Sequence, residues 1–295
     1  VERVSKPVTL FEAFESYRLD CILFRNQSRK TEENHIYAMK SLVRFCGDIE
    51  LEALTFDIVR QWKSSMEARR LGSNTIRSYI IKLRVVLKYM TMKGIVCLNP
   101  DLVPIPQRQT KKVNFISPQD VLRLIGACEV PGAKHINRLR NKAVVALLFS
   151  SGVRVSELCK LDKNDVREDF FSVVGKGGVL APSFIDATAR QHIDAYLKKR
   201  KDHNPALFVS DQRSYPRMTP DGVQEVFRRL QRITGLEVRP HVMRHSFATD
   251  LMRNGADIRY VQQLMHHKNI QTTAQYLHVV DAELHGLHNK FHTKI

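Results

Sequence analysis

Residues 143–158 read Ala143-Val144-Val145-Ala146-Leu147-Leu148-Phe149-Ser150-Ser151-Gly152-Val153-Arg154-Val155-Ser156-Glu157-Leu158, and their reading decides the fold. Ala143 to Phe149 is the longest strongly apolar run in the chain, far too short to span a bilayer. The Ser-Gly pair breaks it, and Arg154 follows that break between two helices. Downstream, Phe170 to Val174 favours a strand, Gly175-Lys176-Gly177-Gly178 a turn, and Ser183 to Ile185 a return strand. Helices resume at about 188–200, at about 220–234 behind Thr219-Pro220, and from His241 onward. Upstream, Ser117-Pro118-Gln119-Asp120 opens a helix with Ser at the cap, Pro at the first helical position and an acid two residues later. This half of the chain therefore reads as mainly helical with one β interruption.

The first hundred residues are also helical. Leu10, Phe14 and Tyr17 recur at helical spacing within 9–20, as do Ile36, Met39 and Val43 within 31–45. Thr55 can cap a third helix that holds Val59, Trp62 and Met66. The fourth, Ser73 to Met92, has Ile76, Ile80, Leu83, Leu87 and Met90 on one stripe and Arg77, Lys82, Arg84 and Lys88 on the other face. An apolar stripe backed by cations suits a helix that packs inward and offers DNA contacts outward; a merely solvated face is the alternative. Pro100, Pro104 and Pro106 keep the following stretch extended, and its end is basic at Arg108, Lys111 and Lys112. The expected division is a helical domain over 1–98, a linker over 99–114 whose basic end could track a phosphate backbone, and a second domain over 115–295.

Composition narrows the function. Lys and Arg total 47 against 30 acidic residues, a net charge of +17, and such an excess attracts polyanions. The five cysteines, Cys21, Cys46, Cys97, Cys128 and Cys159, are scattered and never form a CxxC pair. That argues for reduced thiols in the cytosol and against a disulfide framework or a zinc knuckle. No charged-then-apolar leader opens the sequence, so nothing suggests secretion or a membrane partner.

Four short motifs then occur in order: Ser151 to Leu158, Gly175-Lys176-Gly177, His241-Val242-Met243-Arg244-His245, and His267 followed nine residues later by Tyr276. Singly they are weak, since H-x-x-R and GKG arise often by chance. As an ordered set, the sequence resembles the tyrosine recombinase (phage integrase-like) family, whose catalytic domain carries R…K…H-x-x-R…H…Y in this order. The match runs from about residue 115 to 280. The resemblance implies a mainly α fold: a helical, SAM-like core-binding domain plus an α+β catalytic domain with a small β hairpin, together forming a C-shaped clamp on DNA. It leans toward a simple Xer-like or Cre-like architecture, since no additional N-terminal domain for distal arm sites is visible. It further implies a site-specific recombinase or integrase, cytoplasmic and nucleoid-associated, that acts on a double-stranded DNA recombination site. Four protomers would assemble on two sites and pass through a Holliday junction, with no cofactor, metal or ATP.

The chemistry explains the residue types. Phosphodiester transfer passes through a five-coordinate phosphorus whose oxygens carry spread charge. Arg154 and Arg244 can meet it with planar, permanently charged forks. Tyr276 is the expected nucleophile, and since a phenol has a pKa near 10 it needs a partner for its proton. His241 is the expected base, and His267 holds or positions the phosphate. Lys176, on the turn, is implied as the acid for the departing 5′ oxygen. Glu157, one turn from Arg154, orients that arginine. Two positions depart from the family: Val179, Leu180 and Ala181 stand where further basic residues are common, and His266 stands where glycine is frequent. His266 therefore competes with His267, which the nine-residue spacing to Tyr276 favours.

Arg228, Arg229 and Arg232 mark the helix near 220–234 as a groove-facing element. Leu284, Leu287 and Phe291 lie at helical spacing in a short tail over about 280–295, which either docks on a neighbouring protomer, as the resemblance suggests, or packs on its own domain. Other readings are a type IB topoisomerase using similar residues, a DNA-binding homologue without catalysis, and a metal-dependent nuclease. His241 and His245, four apart, could form a metal pair, but no glutamate base stands between them as in HExxH.

Overall fold

A computed structural model describes residues 7–109, 114–174 and 180–265, and the chain divides into two compact units at residues 111 and 112. The first unit is helical. Thr9 caps α1 (Leu10–Tyr17) through a capping box with Glu12, and the chain continues as a π-helical turn over Arg18–Leu23. Ser28 caps α2 (Arg29–Cys46), and Thr55 caps α3 (Phe56–Ala68) by accepting from the Ile58 amide. The fourth helix, α4, spans Ser73–Met92. Each turns its periodic apolar face inward, so that Phe14, Leu42, Trp62, Leu83 and Leu87 are sealed from solvent in one core.

The stretch after α4 does not leave that unit at once. A short 3-10 turn at Pro100–Leu102 packs on α4, and Val103 is buried in the same core. Arg84 donates to the Val103 carbonyl and pairs with Asp101 at 2.8 Å, while Arg77 donates to the Pro106 carbonyl at 2.8 Å. The prolines read as linker thus begin a strap laid along α4, held by two of the arginines expected on its outer face.

In the second unit Ser117 caps α5 (Pro118–Gly126), with its hydroxyl accepting from the Asp120 amide. Next comes α6 (His135–Ser151), then the short α7 (Val155–Leu158). Residues Ala143 to Leu148 are buried on every side, because α5, α8 (Ala187–Lys199) and α10 (Pro240–Arg253) all pack against α6. The strands β1 (Phe170–Val174) and β2 (Leu180–Phe184) form one antiparallel pair in which Phe171 faces Ser183. The return strand begins and ends earlier than its composition suggests, with Pro182 inside it; among the described residues β2 pairs with β1 alone, and an edge strand tolerates proline. Thr219 caps α9 (Pro220–Thr234), and α11 (Ile258–Leu264) follows α10.

All five cysteines are free, and burial pushes Cys128 up to about 12 and Cys159 up to about 11, so both stay as thiols. Among the described residues no helix is long and apolar enough to cross a membrane.

Candidate active site

The turn from α6 to α7 is built for one residue type. Gly152 ends α6 at φ +61°, and a Cβ there would lie 2.2 Å from Cδ1 of Phe247 on α10. Only glycine gives both the left-handed backbone and the close approach. Val153 is buried, and Arg154 then emerges at the N-cap of α7, its side chain 37% exposed. Glu157 holds it twice: Oε2 accepts from the Arg154 amide at 3.0 Å, and Oε1 accepts from Nη1 at 2.8 Å. The guanidinium is thereby aimed without being buried.

Pro240 opens α10 at its first position, where the missing N–H costs nothing, and places His241 in the first turn. His241 is open to solvent at its edge, yet surrounding protein displaces much of its water. That burial, followed by the charges of Arg244 and Arg154, holds its pKa below the ordinary histidine value. The shift couples His241 electrostatically to both arginines and keeps the imidazole neutral, the form that accepts a proton. One turn on, His245 is pushed down to about 4 by burial, His241 and Arg244.

Arg244 is only 5% exposed. Its Nη1 donates to the Gly152 carbonyl and its Nη2 to the Met265 carbonyl. One guanidinium therefore ties together the turn that presents Arg154, the helix that presents His241, and the residue two before His267.

Along α9, Gln224, Arg228, Gln231 and Arg232 line a groove of about 760 Å³ together with Arg239 and His241. Arg228 and Arg232, 62% and 72% exposed, both pair with Glu225. Arg229 lines a second cavity of about 1090 Å³ with Arg140 and Thr219, and Arg232 borders both hollows, so Arg228 and Arg229 face different ones. The glutamines were not singled out in the sequence, although they flank Arg228 at helical spacing.

In the first unit Arg77 and Arg84 are engaged by the strap over 99–109, as described, while Lys88 is exposed and Lys82 is half-buried near His35. Lys111, Lys112, Lys176, His266, His267, Tyr276 and the tail with Leu284, Leu287 and Phe291 lie outside the described residues. Among the described residues no group of three or more His, Cys, Asp or Glu could hold a metal ion, so His241 and His245 gain no further ligand there.

Residues 9–102 match the phage integrase SAM-like domain and residues 114–283 match the phage integrase family. The tyrosine recombinase XerC of Bacillus licheniformis is 32% identical over 271 residues, covering 86% of this chain and 88% of that protein. The XerC of Natranaerobius thermophilus is 30% identical over 293 residues, covering 92% and 95%. A solved structure of the Tn1549 transposon integrase in complex with circular intermediate DNA has the same fold, with a TM-score of 0.75 over 94% of this chain and 99% of that one, at 20% identity. A match over most of the chain, on both of its units, settles the assignment: the chain belongs to the phage integrase family of tyrosine recombinases.

Proposed function

We propose that this recombinase cuts and rejoins double-stranded DNA at a specific site through a 3′-phosphotyrosyl bond to Tyr276. The observation that carries the reading is the tie made by Arg244, which gathers the Arg154 turn and the His241 helix around one point. Two guanidinium groups there meet the charge on a five-coordinate phosphate, each supplying about 3 kcal/mol in a dry site, the worth of one oxyanion-hole donor.

The Tyr276 oxygen attacks phosphorus and its proton passes to His241, neutral because its pKa is depressed. The phosphorus–oxygen bond to the 5′ oxygen breaks, and Lys176 protonates that oxygen. His267 holds the phosphate. A 5′-hydroxyl from the partner strand then displaces Tyr276 by the reverse route, so one ester replaces another and no nucleotide is hydrolysed. The groove beside His241 is the bed for duplex DNA, with Arg228 and Arg232 on its wall. Four protomers on two sites would exchange one strand pair, form a Holliday junction and exchange the second, at the nucleoid.

Trapping tests this directly. A nicked suicide duplex, selected by sequencing what wild type binds and cuts from a random library, should give a covalent protein–DNA adduct that Tyr276→Phe does not form. A nucleotide-bearing peptide from any other position would overturn the assignment. Relaxation of a plasmid without the selected site would point instead to a type IB topoisomerase.

A further inference from the structure

We propose that Ser246 is a positioning residue for strand cleavage: by fastening residues 114–116 to one side of α10, it fixes the roll of the helix that carries His241 and Arg244. The proposal rests on the recombinase reading for its consequence, and on the contacts of this one unit for its cause.

Three consecutive residues bind the α9–α10 region. Asn114 Nδ2 donates to Glu237 Oε2 at 3.3 Å, just before α10. The Phe115 ring lies under the Arg253 guanidinium at 4.7 Å, at the far end of α10. Between them the Ile116 amide donates to Ser246 Oγ at 2.8 Å, and the same hydroxyl donates to the Val242 carbonyl at 2.8 Å. Ser246 is 1% exposed, so this hydroxyl is both acceptor and donor in a dry place. Its apolar replacement would strand the Ile116 amide.

Helix geometry gives the contact its meaning. At about 100° per residue, Val242, Ser246 and Arg253 share one side of α10, roughly 100–140° around from His241. Arg244 projects from another side and holds the Gly152 and Met265 carbonyls. A helix pinned on one side can still turn about its axis, and pins on two sides stop it. A roll of about 10° moves a side-chain tip at ~6 Å radius by about 1 Å. Misplacement of that size at a reacting centre costs about 100-fold in rate.

Two measurements test the strap on the full chain. Single-turnover cleavage of the selected suicide duplex at saturating protein should fall at least about 10-fold in Ser246→Ala, with DNA affinity unchanged, and Ser246→Thr should restore most of it. Imidazole NMR titration without DNA, with His241 assigned by its loss in His241→Gln, should move His241 in Ser246→Ala toward the ordinary value, as the roll takes it out of its half-buried place and away from Arg154 while Arg244 rides on the same helix. Wild-type cleavage and wild-type titration in Ser246→Ala would overturn the strap and leave the recombinase reading standing. A moved titration in a chain that forms no adduct with any DNA would sink the recombinase reading and leave the strap. If Ser246→Ala does not fold, Phe115→Leu combined with Arg253→Gln asks the same question from the surface end, and unchanged cleavage there would overturn the proposal.

Discussion

Gly152 carries two burdens in one atom's absence. Gly152→Ala would force a side chain onto a backbone at φ +61° and into Phe247. Left-handed strain of about 1–2 kcal/mol and overpacking of about 1–3 kcal/mol predict a loss near 3 kcal/mol in urea unfolding. The double variant Gly152→Ala/Phe247→Ala should recover the overpacking share but not the backbone share. His245 gives a pH signature. Its folded pKa of about 4 lies below the ordinary 6.5, so above pH 6.5 it is neutral folded or unfolded and contributes no pH slope. Below pH 6.5 the unfolded chain takes the proton first, and stability falls by about 3 kcal/mol by pH 4. His245→Gln should flatten that part of the curve in unfolding measured between pH 7.5 and 4.5. Arg154, His241 and Arg244 were legible as candidates because their types and order suit phosphate chemistry. What Arg244 holds was not, since its partners stand 92 and 21 residues away and are backbone carbonyls that any sequence supplies.

Helix α9 separates by face what its sequence presents as one basic cluster. Arg228 lines the groove that contains His241, Arg229 lines the second cavity, and Arg232 borders both. Arg228→Ala should therefore weaken DNA binding and reduce the salt slope by about one unit, and Arg229→Ala should leave that slope unchanged, as read by fluorescence anisotropy between 50 and 200 mM salt. Equal slopes for the two variants would refute the division of faces. Explicit signals made elements legible: the sustained apolar stripe of α4 gave both its ends, and the Ser-Pro start gave the beginning of α5. The π-helical turn at Arg18–Leu23 was not, because its hydrogen-bond spacing leaves no compositional trace distinct from an α-helix. Strand β2 was displaced in the reading because a five-residue strand with a proline inside offers little alternation to count.

Each of the two units has a sealed core of its own, one around Trp62 and Leu87 and one around Leu147 and Phe227. In a chain of 295 residues, two apolar periodicities separated by prolines are what suggested two domains. The role of the proline stretch was harder to read, because extended backbone can either swing free or lie along a neighbour, and only a partner's side chains decide. Here Arg77 and Arg84 decide, by grasping carbonyls at Pro106 and Val103. Anyone exchanging modules between such enzymes inherits that grip: a splice made at Leu98 would graft foreign sequence under both guanidinium groups, whereas a junction after Gln109 transplants the helix together with everything it holds.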